Sequence, residues 1–352
     1  MSIAAAARKA PSALADEVII SADSHIIEPA DLWEKNLPPG LREKYPKYPP
    51  RNSPGEKPGG WDPTARIGEM EVDGVSAEVL YPTSGLRLFA LEDADLQEAC
   101  FRIANDWLIE YCKAAPGRLV GIPSISLYNI KNAIQELERC KKSGLVGCLI
   151  WQVPPAHLPF TSDYYYPFWE AAESLNMPVN LHILTGFNYS RFERKGLDIF
   201  KATVNTKLYD AANSLFDLVF GGVTARFPKL KFVYVENEVG WIPFVVHEWD
   251  KYYLRFRKRV DMPYMKKMPG EYVAEQVYAT FFSDPAGGCL MERWGQDTFM
   301  WSNDYPHAAS TWPHSREVIA RELGHLPKDV LRKITRENVI KLYDLKIDGV
   351  NA

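Results

Sequence analysis

The stretch Val18-Ile19-Ile20-Ser21-Ala22-Asp23-Ser24-His25-Ile26-Ile27-Glu28-Pro29 sets the frame for the rest of the chain. An apolar run leads into Asp23, and His25 follows two residues later. Side chains alternate between the two faces of a strand, so a strand ending here turns Asp23 and His25 the same way. A carboxylate beside an imidazole at a strand end makes two of the donors a divalent ion needs. A strand end capped by polar residues looks the same in isolation. The choice depends on whether other strand ends supply more donors.

Working outward, the chain alternates short apolar runs with segments of helical period. Strands are expected near residues 18, 78, 121, 149, 181, 233, 280 and 300. Helices are expected over 63–72, 93–115, 130–142, 164–175, 200–220, 241–257, 288–294, 315–323 and 328–343. The segment 93–115 carries Leu96, Cys100, Ile103, Trp107 and Tyr111 close to the helical period, and Pro116-Gly117 stops it. Eight strands alternating with helices form parallel sheet and close most simply into an α/β (β/α)₈ TIM barrel; an open doubly wound sheet is the alternative. Between residues 37 and 63 the chain runs through Leu37-Pro38-Pro39-Gly40, Tyr48-Pro49-Pro50 and Pro58-Gly59-Gly60. So many breakers predict a long Pro-rich loop after the first strand, either a cover lined by Trp33, Tyr48 and Trp61 or an inert connection. Residues 1–16 read as a loose Ala-rich arm rather than a secretory signal, and 17–352 as one barrel domain.

In such a barrel the chemistry sits at the C-terminal strand ends. The first strand ends in Asp23 and His25, with Glu28 just beyond. The fifth places His182 in Val179-Asn180-Leu181-His182, and the sixth ends in Glu236, with Glu238 two further on. The eighth runs Phe299-Met300-Trp301-Ser302-Asn303-Asp304-Tyr305-Pro306-His307. Burying that many carboxylates at one mouth without a cation is costly, and a divalent ion removes the cost. A polar rim solvated by water is the competing account. Asp23, His25, His182, Asp304, Glu28, Glu236 and His307 are therefore the candidate metal ligands, and Asp304, His182 and Glu236 the candidate catalytic groups.

The motif Asp23-Ser24-His25 with Glu28-Pro29, the run from Asp73-Gly74-Val75 to Leu80-Tyr81-Pro82-Thr83, and Asp304-Tyr305-Pro306-His307 with Trp312-Pro313 resemble the amidohydrolase-related family. This is the branch of the amidohydrolase superfamily that holds aminocarboxymuconate-semialdehyde and hydroxybenzoate decarboxylases. The resemblance spans residues 18 to about 345. It implies a TIM barrel with metal ligands at Asp23, His25, His182 and Asp304, the last able to hold or deprotonate a metal-bound water. Many members of the superfamily carry histidine at the sixth-strand position, where this chain has Glu236.

Three activities fit such a mouth: hydrolysis by a metal-bound water, non-oxidative decarboxylation of a metal-anchored carboxylate, and oxygen activation at two redox metals. Hydrolysis or decarboxylation of a small carboxylated or amide-bearing molecule is the leading expectation, with zinc as cofactor. Four carboxylates and three imidazoles exceed what one tetrahedral zinc needs, so a dinuclear iron or manganese/iron monooxygenase is the alternative. A silent scaffold subunit beside a related active chain is the non-enzymatic alternative. Arg66, Arg87, Lys207 and Arg226 are candidate partners for a substrate carboxylate, and His157, His247, His314 and His325 carry less.

The totals narrow the class. With 352 residues, 46% hydrophobic and 24% charged, the chain has ample core. A net charge of -4 offers no broad attraction to nucleic acid or anionic membrane, and no apolar run is long enough to span a bilayer. Five cysteines without a C-x-x-C pair predict reduced thiols in a cytoplasmic protein. A homodimer is the expected assembly, with a hetero-oligomer containing a related subunit as the alternative.

Overall fold

Eight short strands alternate with helices: β1 (Ile20–His25), β2 (Ala77–Tyr81), β3 (Leu119–Gly121), β4 (Cys148–Ile150), β5 (Val179–His182), β6 (Phe232–Val235), β7 (Val277–Phe281) and β8 (Phe299–Trp301). The structure, a computed structural model, describes residues 17–46, 57–187, 196–198, 200–201 and 206–347. All pairings are parallel, and ladders run β1-β2-β3 and β4-β5-β6-β7-β8. Two junctions join these runs. The amide of Ile125 donates to Leu149 O and that of Leu149 to Pro123 O, which sets β3 beside β4. The amide of Asp304 donates to Asp23 O and that of His25 to Tyr305 O, which sets the end of β8 beside β1. The eight strands thus close into a TIM barrel. Every strand residue is buried, as expected of parallel strands covered on both faces, and this is why the strands read as near-continuous apolar runs.

The helices follow from ordinary end signals. Asp62 accepts the amides of Thr64 and Ala65 at the start of the helix Pro63–Asp73, and Gly74 ends it in the left-handed conformation at φ +71. In the helix Ile130–Lys142, Asn129 caps the first turn while Ala133, Leu137 and Cys140 face the core.

The structure departs from the sequence expectations in several places. The Pro-rich stretch is not wholly irregular: a helix occupies Pro39–Arg42 and a 3-10 turn Pro58–Gly60, because proline is tolerated in a first helical turn. Residues 47–56, including Tyr48, lie outside the described residues, as do residues 1–16. Trp33 is 3% exposed, in the helix Leu32–Asn36, with its indole N–H donating to Cys100 O. Trp61 is 42% exposed. In place of the helix expected over 288–294 there is a single turn, Pro285–Gly288, and the helix Pro269–Gln276 was not anticipated. Two π-helical turns, Thr206–Asp210 and Lys333–Glu337, interrupt stretches expected to be plain α-helix. The five cysteines are free. No helix among the described residues is long and apolar enough to cross a membrane.

Candidate metal centre

Six side chains meet at the C-terminal ends of the strands. Asp23 and His25 come from the end of β1 and His182 from the end of β5; Glu236 follows β6, while Asp304 and His307 follow β8. Their donor atoms form two overlapping groups, Asp23, His25, His182 and Glu236 in one and His25, Glu236, Asp304 and His307 in the other, each within 4.8 Å. His25 Nε2 lies 3.2 Å from His182 Nε2 and 3.5 Å from both Asp23 Oδ1 and Asp304 Oδ1. His182 Nε2 lies 3.8 Å from Asp23 Oδ1 and 3.7 Å from Glu236 Oε2.

The surroundings fix the imidazoles. His25 Nδ1 is 2.8 Å from Pro82 O, and His182 Nδ1 is 2.8 Å from Ile183 O. A carbonyl can only accept, so both Nδ1 atoms carry the proton, and in neutral rings both Nε2 atoms present lone pairs. Burial, with His307 and His182 adding to it, holds His25 well below the usual histidine range, so its ring stays neutral. Two lone pairs facing each other at 3.2 Å repel unless a cation lies between them. Nitrogens bound to one ion at about 2.1 Å, with bond angles of about 90–109°, stand roughly 3.0–3.4 Å apart. Beside them Asp23 Oδ1 is buried with no hydrogen-bond partner. A bound divalent ion satisfies all three atoms, so these residues fit one.

The flanking carboxylates sit on unusual backbone. Glu236 and Asp304 take φ +60 and +53, a conformation that costs a non-glycine residue roughly 1–3 kcal/mol and persists only where neighbours fix it. Thr280 Oγ1 accepts the Glu236 amide at 2.9 Å. Asn237 exchanges two amide hydrogen bonds with Gln152, and Asp284 Oδ2 accepts the amides of Val239 and Gly240. Asp304 accepts His307 Nδ1–H at 2.8 Å, and His307 Nε2 then faces Thr83 Oγ1 at 3.2 Å. Burial first, then the Asp304 and Asp23 charges, pushes Glu236 well above the usual carboxylate range. Burial also raises Asp304, against the pull of His307. Glu238, paired with Lys207 at 3.2 Å, is pushed up to about 7 by burial.

Six of the seven candidate ligands come together, and Glu28 does not. Its oxygens take up the amides of Thr83, Ser84 and Gly85, so its work is to fold the loop after β2. Arg66 is fully buried against Glu78 rather than open to substrate, and Arg226 stacks between Tyr166 and Tyr264. Arg87 lies on the 3-10 turn Gly85–Ala90. Lys207 does reach the mouth, 3.9 Å from Glu236 Oε1. His157 and His247 are exposed, His314 pairs with Glu317, and His325 faces Gly288 O. Sequence reasoning missed Gln152, Thr280 and Asn303 and left Asp284 unassigned. The available signal was a hydroxyl or amide in a strand or strand end where an apolar residue would fit as well.

A family model described as Amidohydrolase matches residues 25–345. The gamma-resorcylate decarboxylase of Polaromonas sp. strain JS666 is 31% identical over 123 residues, 33% of this chain and 37% of that one. The 2-amino-3-carboxymuconate-6-semialdehyde decarboxylase of Dictyostelium discoideum is 27% identical over 189 residues, 53% of this chain and 50% of that one. The chain therefore spans half or less of the length of these relatives. A dihydroxybenzoic acid decarboxylase from Polaromonas sp. JS666, solved with bound manganese and the inhibitor 2-nitroresorcinol, superposes with a TM-score of 0.68 at 20% identity, covering 93% of this chain and 97% of that one. At that identity the likeness is one of fold.

Proposed function

The chain belongs to the amidohydrolase family, and from that premise we propose that it is a metal-dependent carboxy-lyase. It would release carbon dioxide, without an oxidant, from a small carboxylic acid bearing a hydroxyl or similar oxygen beside the carboxylate. The observation that carries the metal dependence is the facing pair of Nε2 atoms at 3.2 Å with the unpartnered Asp23 Oδ1 beside them. The names of the relatives, both decarboxylases, and the manganese in the dihydroxybenzoic acid decarboxylase support it.

Asp23, His25, His182 and Asp304 are the donors that would hold a divalent ion, whose charge anchors a carboxylate and a neighbouring oxygen. Glu236 enters from the open side, 14% exposed where Asp23 and His25 are fully buried. It is the acid placed to give a proton from Oε to the carbon that loses its carboxylate. Lys207, within 4 Å of both Glu236 and Glu238, offsets negative charge at the entrance. The monooxygenase alternative rested on a surplus of donors, and the surplus shrinks once Glu28 is spent on three amides and His307 on Asp304 and Thr83. An inactive scaffold has no use for a strained, buried donor set.

The test is metal analysis and carbon dioxide release on protein stripped with chelator and reloaded with manganese or zinc, offered hydroxybenzoates and aminocarboxymuconate-type acids. The expected result is metal-dependent release from at least one of them, with both metal and activity lost in His182→Ala and Asp304→Ala. Stoichiometric metal retained in both variants would overturn the assignment of the centre. A loaded protein that cleaves amides but releases no carbon dioxide would overturn the reaction.

A further inference from the structure

The hydroxyl of Thr280 stands where two halves of the centre meet. Thr280 lies within β7 and is completely buried. A strand interior accepts valine at least as readily as threonine, so a hydroxyl here costs desolvation unless it is used. Its oxygen accepts the Glu236 amide at 2.9 Å, and its single hydrogen is directed to Asp23 Oδ2 at 3.5 Å. Among the described residues no other hydrogen bond to the Asp23 carboxylate is present. The hydroxyl thus faces Oδ2, while Oδ1, without a hydrogen-bond partner, is turned toward His25 and His182. The amide it accepts belongs to the residue at φ +60 whose side chain overhangs the same pocket.

We infer that Thr280 is a positioning residue: its one hydroxyl selects which Asp23 oxygen is offered to a divalent ion and fixes the backbone turn that aims Glu236. The inference rests on the metal-dependent reading of the site. Second partners of this kind change metal affinity by about 10–100-fold when removed. Three variants test it, Thr280→Val and Thr280→Ala without the hydroxyl and Thr280→Ser with it, titrated with Mn²⁺ by calorimetry after chelator stripping. The expected result is a dissociation constant raised about tenfold or more in both hydroxyl-free variants and restored to within about threefold of wild type in Thr280→Ser. Either hydroxyl-free variant, folded by circular dichroism, binding Mn²⁺ as wild type does would overturn the inference alone. So would a Thr280→Ser variant as weak as Thr280→Val. Wild-type protein that takes up no divalent ion would overturn this inference and the functional reading beneath it.

Discussion

Glu28 and Asp23 are both buried carboxylates at the end of the first strand, and their neighbours give them opposite tasks. Each oxygen of Glu28 meets backbone amides, whereas Asp23 Oδ1 meets none. The residue types alone could not separate them, since an Asp or Glu near a histidine reads as a ligand wherever its side chain points. Replacing Glu28 with alanine orphans the amides of Thr83, Ser84 and Gly85. That should cost about 3 kcal/mol or more, since each of the three unsatisfied amides costs roughly 1–3 kcal/mol, while leaving metal content at the wild-type level. Urea unfolding and metal analysis of the same preparation check both halves. Metal lost from Glu28→Ala protein that remains folded would return Glu28 to the ligand set.

Between elements, the helices Ala94–Cys112 and Ile130–Lys142 are tied through one carboxylate. Glu136 receives Arg139 through Nε at 2.8 Å and Nη2 at 2.6 Å, Asn105 Nδ2 at 2.9 Å and Arg102 Nη1 at 3.1 Å. Burial alone would raise its pKa; the Arg139 and Asn105 contacts outweigh it and leave the group below the usual carboxylate range. A depressed folded pKa makes the stabilisation complete above the unfolded value of about 4.3 and removes it as pH falls through the folded value. Glu136→Gln should therefore be less stable than wild type near neutrality by about 1–2 kcal/mol, and the two unfolding curves should converge in acid. A gap that persisted unchanged at low pH would mean that the charge is not what matters. Both helices were legible from the chain because their apolar periods are long and regular. The helix Pro269–Gln276 was not, since Met268-Pro269-Gly270 reads as a turn and the helix has only 8 residues to show a period. Neither π turn leaves a mark on hydrophobic spacing.

For the whole molecule, the eight strands and the gathering of distant strand ends could be read from alternation and residue type; the seam that closes the barrel could not. Between β8 and β1 the ladder gives way to a buried hub at Asn303, 1% exposed. Its Oδ1 accepts the hydroxyls of Ser21 and Ser24 and the amide of Tyr305, while its Nδ2 donates to Asp73 Oδ2 and Glu78 Oε1. Ser21 and Ser24 flank the register shift of β1 that carries Asp23, so the hub sets the candidate ligands Asp23, His25 and Asp304 at both sides of the seam. An asparagine in a Ser-Asn-Asp run looks like a turn residue, because its partners lie on distant segments of the chain. Asn303→Ala strips partners from two carboxylates and two hydroxyls and should cost about 3 kcal/mol or more. Asn303→Asp keeps the shape but sets a third carboxylate against Asp73 and Glu78, so at neutral pH it should be less stable than Asn303→Ala. Repulsion raises the folded pKa of the introduced carboxyl, and a raised acid destabilises only where it is charged. The Asn303→Asp deficit should therefore shrink as pH falls from 7 toward about 5, measured by urea unfolding beside Asn303→Ala. If the aspartate variant matched wild type at neutral pH, the amide's donation to two carboxylates would not be what holds the seam, and closure would have to rest on the two backbone hydrogen bonds from Asp304 and His25.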